Sequence, residues 1–118
     1  MATSTLVGSG KYVYEVQEEW AHLPQGWGMP AAAVAVDSQD RVFCFNRDKE
    51  HPVVIFDRQG KYVNSWGAGR IAFAHAIKVD EDDHVWLVDR DHGQIIKCTD
   101  SGDILQTIGT KDYRSDTG

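Results

Sequence analysis

His75 has the clearest capacity for chemistry in this chain. It opens an apolar run, Ala74-His75-Ala76-Ile77, and a neutral imidazole nitrogen there could ligate a transition metal such as zinc. One imidazole does not make a site, and a histidine bonded to nearby backbone or water is the competing reading. Arg47 and Arg90 each close a strand-like run. Such a guanidinium could stabilise charge on a bound hydroxyl or carboxylate, or simply pair with neighbouring aspartates. His84, Asp89, Asp91 and His92 form a second polar group, which reads as a solvated edge. His22 and His51 lie in loops close to prolines and carry no metal pattern. Asp37–Asp40 and Asp80–Asp83 lack the length, central glycine and terminal glutamate of a calcium-binding EF-hand loop, and read as tight turns. Cys44 and Cys98 are too few for a disulfide framework and lie in apolar runs, as buried thiols do. Trp20, Trp27 and Trp66 could stack on a ligand, but packing is their default role.

The elements that must position these residues come from a repeat. Val34–Arg47 lines up with Ile77–Arg90 at an offset of 43, so that Asp37, Asp40 and Arg47 fall on Asp80, Asp83 and Arg90. After a deletion near Lys49–Pro52 the match resumes at an offset of 42, with Gly60 on Gly102 and Gly67 on Gly109. His75 falls on Ala32, so the unit itself does not require histidine there. The first unit reads as strands over Ala31–Asp37, Arg41–Arg47, Val53–Asp57 and Lys61–Trp66. The second reads as strands over Ala76–Asp80, His84–Asp89, Gln94–Thr99 and Ile104–Ile108. Short Gly- and Asp-bearing connections imply antiparallel neighbours. Four such strands in about 40 residues is the arithmetic of a β-propeller blade. The fold is therefore expected to be all-β, with two four-stranded blades, residues 31–67 and 68–109. A leading strand over Lys11–Trp20 and a loop complete residues 11–30. Residues 1–10 read as a loose start and 110–118 as a polar tail.

A chain of 118 residues with 42% hydrophobic and 25% charged residues is an ordinary globular composition. Its net charge of −6, with no basic stripe, argues against nucleic acid as a partner. No apolar run approaches the length of a membrane span, and the opening MATSTLVGSG does not pattern as a secretory signal. Cytoplasmic residence is the expectation.

With these segments in view, VAVDSQDRVFCFNR, HPVVIFDRQGKYVNSWGAG and HAIKVDEDDHVWLVDRDHGQIIKCTDSGDILQTIG resemble NHL-type propeller repeats. More narrowly they are similar to the propeller of the peptidyl-α-hydroxyglycine α-amidating lyase (peptidylamidoglycolate lyase) family and its bacterial relatives. The resemblance runs from about Tyr12 to Gly118. It implies membership of a six-bladed ring whose channel holds a zinc on three histidines and a structural calcium. It implies cleavage of the N–Cα bond of a peptidyl-α-hydroxyglycine, giving a peptide amide and glyoxylate. His75 matches the first zinc ligand, the main-chain carbonyls of Val34 and Ile77 match calcium ligands, and Arg47 matches a catalytic arginine. The family's Pro-His-Gly around that histidine is Ala74-His75-Ala76 here. The other histidine ligands, the calcium aspartate and the remaining catalytic residues match no position of this chain.

Two blades leave side faces and strand edges to be covered. Self-association through those faces is expected, with a trimeric ring of three copies as the simplest closed form. The expected function is a lyase-related propeller section, inactive unless assembled or extended. The alternative is a non-catalytic propeller module that binds a peptide or protein.

Overall fold

A computed structural model of the chain describes residues 4–113. Every regular element in it is a strand: β1 (Leu6–Ser9), β2 (Tyr12–Glu15), β3 (Ala31–Val36), β4 (Val42–Asn46), β5 (Val53–Phe56), β6 (Tyr62–Trp66), β7 (Ala74–Val79), β8 (Val85–Asp89), β9 (Gln94–Cys98) and β10 (Ile104–Ile108). No helix among the described residues is long and apolar enough to cross a membrane. β3 to β6 form one four-stranded antiparallel sheet in sequence order, and β7 to β10 form another. The expected all-β architecture of two blade-like sheets is what the chain adopts.

The turns form as their residues dictate. Asp37, Asp57 and Asp80 each use Oδ1 to accept two backbone N–H groups, two and four residues on. Those bonds hold each chain reversal locally. Asp40 and Asp83 take φ of 60° and 59°, the left-handed conformation that a short polar side chain tolerates.

Each sheet has two apolar faces, because every second residue of the inner strands is hydrophobic on both sides. Phe43, Phe45, Val53 and Ile55 project from the first sheet onto Val85, Leu87, Ile96 and Cys98 of the second, forming the main core. The opposite face of the first sheet carries Cys44, Val54 and Phe56. The segment Trp20–Met29 covers that face, with Trp20, Leu23 and Trp27 laid on it. Trp20 meets Phe56 edge-on with centroids 6.0 Å apart, and Trp27 stacks on His51 at 3.5 Å. The loop before the first unit thus does for one face what the second sheet does for the other. Trp86, Val88 and Ile95 occupy the far face of the second sheet, which no described segment covers.

The start of the chain differs from the expectation of a loose segment followed by one strand over Lys11–Trp20. Leu6–Ser9 pairs antiparallel with Tyr12–Glu15 in a separate two-stranded sheet, and residues 16–20 are not strand. The cause is legible in retrospect. Gly10-Lys11-Tyr12-Val13 repeats Gly60-Lys61-Tyr62-Val63, the turn and strand start that join β5 to β6. Both glycines have positive φ, 61° and 82°. Residues 1–3, and 114–118 of the polar tail, lie outside the described residues.

Candidate functional site

The strands β3 and β7 run side by side across the sheet interface, and the candidate residues gather around one end of it. Both strands begin with a register irregularity, between Ala31 and Ala33 in β3 and between Ala74 and Ala76 in β7. Ala32 and His75 are the residues left out of the pairing. A bulge re-aims a side chain and recurs beside active sites. Here both sheets have it, so the imidazole alone distinguishes the second copy. His75 is exposed, whereas Ala74 before it is 1% exposed and belongs to the core.

Arg47 follows β4 and reaches across the interface. Its Nε donates to the carbonyl oxygen of Ala74 at 3.4 Å, one residue before His75. Its guanidinium lies over the Phe73 ring at 4.2 Å, and that of Arg90 lies over the same ring at 3.7 Å. Pairing with the Asp-rich turns, the structural alternative for these arginines, is therefore not what holds Arg47. Arg90 bonds Asp91 beside it, through Nε to Oδ1 at 2.9 Å. Two exposed arginines share one aromatic ring, and each is bonded among the described residues through Nε, which leaves the terminal N–H groups as donors for an incoming carboxylate.

Asp89 organises the backbone under this rim. Its carboxylate accepts from the backbone N–H groups of Ala72, Phe73 and His92 at 2.9, 3.1 and 3.3 Å, and the His92 Nδ1 lies 2.8 Å from its Oδ2. Burial alone would raise its pKa. The N–H groups of Ala72, Phe73 and His92, with the adjacent imidazole, outweigh burial and hold the carboxyl below its ordinary value. In the first sheet Asn46 takes the place of Asp89. Its Nδ2 donates to the carbonyls of Cys44 and His51, while its buried Oδ1 has no partner among the described residues.

The group His84, Asp89, Asp91 and His92 does not come together. β8 separates His84 at one end from Asp89 and His92 at the other. Among the described residues, the one trio of metal-ligating side chains within 4.8 Å of one another is Asp80, Asp82 and His84. Asp80 is already engaged there, with Oδ2 accepting from Trp86 Nε1 at 2.9 Å and Oδ1 from two backbone N–H groups. That indole bond, more than burial opposes it, holds the Asp80 carboxyl below its ordinary value.

Zinc and calcium are tested by the donors present. Among the described residues, no imidazole, thiolate or carboxylate groups with His75 in such a trio, so these residues do not supply the three protein ligands that a catalytic zinc needs. Val34 and Ile77 pair with Cys44 and Leu87 in their sheets, and two carbonyls fall short of the six to eight oxygens around calcium. The described residues of one copy do not fit either ion. The gap beside Arg47, lined by Asn46, Asp48, Ile71 and Ala74, is about 10 Å³, room for one water and not for a substrate. A larger cleft of about 290 Å³ lies on the uncovered face of the second sheet, among Val88, Arg90, Ile95 and Ile108.

No family model matches the chain, and no curated protein matches it.

Proposed function

We propose that this chain is a section of an NHL-type propeller related to the α-amidating lyases, catalytically incomplete as a single copy. The observation that supports this reading is the meeting of two residues 28 positions apart in sequence. Arg47 is held at the carbonyl that precedes His75, and in the lyase resemblance these are the catalytic arginine and the first zinc ligand. In this role Arg47 binds a carboxylate or hydroxyl of the substrate through its exposed N–H groups, and His75 supplies one of several ligands.

Elemental analysis of the purified chain, alongside an assay for N–Cα cleavage of a peptidyl-α-hydroxyglycine, tests the reading. If assembly gathers His75 from three copies, about one zinc binds per three chains and is lost in His75→Ala. Zinc that survives this substitution sits elsewhere and removes His75 from the site. Turnover by a zinc-free monomer would remove the dependence on metal and assembly together.

A second reading, a non-catalytic module that binds polypeptide, is favoured by the 290 Å³ cleft and its apolar lining. Calorimetric titration with hydrophobic peptides tests it, and Ile95→Glu should abolish any binding seen.

A further inference from the structure

The two four-stranded sheets obey a contact rule at their outer turns. Trp20 covers Gly60, the turn between β5 and β6, so closely that a Cβ on Gly60 would fall on the Trp20 carbonyl. Trp66, at the end of β6, covers Gly102 between β9 and β10, where a Cβ would lie 2.7 Å from the indole. Each unit's outer turn is thus covered by a tryptophan that lies before that unit's first strand. The rule has one vacant acceptor and one vacant donor. Gly10 stands in the turn between β1 and β2, before the same Lys-Tyr-Val as Gly60, though in a shorter turn, and no described atom lies within 4 Å of where its Cβ would stand. Ile108 aligns with Trp66 at the repeat offset of 42, and it is 47% exposed.

The surfaces around these two positions match as well. Every described residue from Ser4 to Glu19 is exposed, and a two-stranded ribbon without a packing partner is marginally stable in water. Its pairing places Val7, Tyr12 and Tyr14 on one face. Within that face Tyr12 falls on Tyr62 in the repeated Gly-Lys-Tyr-Val, and Tyr62 packs toward Trp27 at 5.5 Å, on the side of the first sheet covered by what precedes it. The uncovered face of the second sheet offers Ile95, Ile108 and Trp86, with Lys97 Nζ lying 5.2 Å from the Trp86 ring centroid. Tyrosine rings suit that lysine as cation–π partners and that face as apolar cover.

We infer that two copies associate head to tail, the β1–β2 hairpin of one docking on the uncovered face of the second sheet of the other, with Ile108 closing on Gly10. The contact continues the stacking of sheet on sheet already present within the chain. It rests on the self-association that the propeller reading calls for, and identifies its two surfaces. Such an interface is heterologous, so it closes into a ring or extends, according to the rotation between copies.

Two exposed-residue variants test it by sedimentation velocity over a concentration series, with circular dichroism to confirm the fold. Tyr14→Asp spoils the hairpin and Ile108→Asp spoils the sheet face. Each alone should weaken association at least tenfold, on the order expected for a buried aromatic or aliphatic anchor. Mixed together, they should form a one-to-one complex through the intact surface of each. A wild-type monomer up to hundreds of micromolar overturns the inference. So does either variant that still associates like wild type, since that interface would pair like with like. Zinc and turnover play no part in these readouts, so their failure leaves the lyase relationship standing.

Discussion

Asp89 and Asn46 stand at equivalent places, and the difference between them follows from one proline. Asp89 accepts from the N–H groups of Ala72 and Phe73. The corresponding residues of the first unit are Met29 and Pro30, and Pro30 has no N–H to give. The equivalence is visible in the backbone, where Arg90 N–H bonds the Phe73 carbonyl and Arg47 N–H bonds that of Pro30, at 3.0 and 3.1 Å. A carboxylate at 46 would be a buried anion short of donors, so the neutral amide fits. Asn46→Asp should cost about 2 kcal/mol or more, and adding Pro30→Ala should recover at least about 1 kcal/mol, read as a coupling in urea melts. Asp89→Ala should cost roughly 2 kcal/mol, because it strands the N–H groups of Ala72 and Phe73, both half-buried. The sign of its pH dependence is set by the lowered carboxyl. The stabilisation is complete above the ordinary carboxylate pKa and is lost as pH falls through the lowered folded value. Asp89→Asn should therefore flatten the acid limb of the stability profile, measured by urea melts from neutral pH downward. The pairing of Asn46 with Pro30 could have been found by aligning the units, but only the tertiary contact says which backbone group the side chain faces.

At the scale of elements, the outer turns decide how units stack. Gly60 and Gly102 combine positive φ of 82° and 96° with a tryptophan directly overhead, so a side chain there is both strained and blocked. Gly60→Ala and Gly102→Ala should each cost about 2 kcal/mol or more, whereas Gly10→Ala should cost about 1 kcal/mol, from backbone strain alone. Thermal melts of the three variants check the order. If Gly10→Ala proves as costly as the others and the loss scales with protein concentration, the turn is covered by another copy. The eight strands of the two units were legible in the sequence, because alternating β-branched and aromatic residues end at Asp- and Gly-bearing turns. The β1–β2 hairpin is less legible, and its one sequence signal is the repeated Gly-Lys-Tyr-Val. Its first strand, Leu6–Ser9, contains a glycine and a serine and has almost no apolar periodicity of its own.

Across the whole molecule, the two cysteines report on cooperativity. Cys44 lies on the face of the first sheet covered by Trp20–Met29, and Cys98 lies in the core between the sheets. Burial pushes each thiol up to about 11, so neither is a reactive thiolate in the folded chain. If the covering segment and both sheets unfold together, a thiol reagent should label the two at the same rate across a denaturant series. Faster labelling of Cys44 would mean that Trp20–Met29 opens by itself. The residue pattern alone determined the eight strands of the two similar units and the turns between them, because these depend on period-two alternation and on local turn chemistry. Only the tertiary structure decided which face of each sheet is covered and by what, since both faces are apolar and sequence does not say which meets a neighbour. It also brought Arg47 to the carbonyl beside His75 and, among the described residues, left Gly10 and Ile108 without the contacts their counterparts make. Those outcomes depend on how sheets stack, which joins residues far apart along the chain.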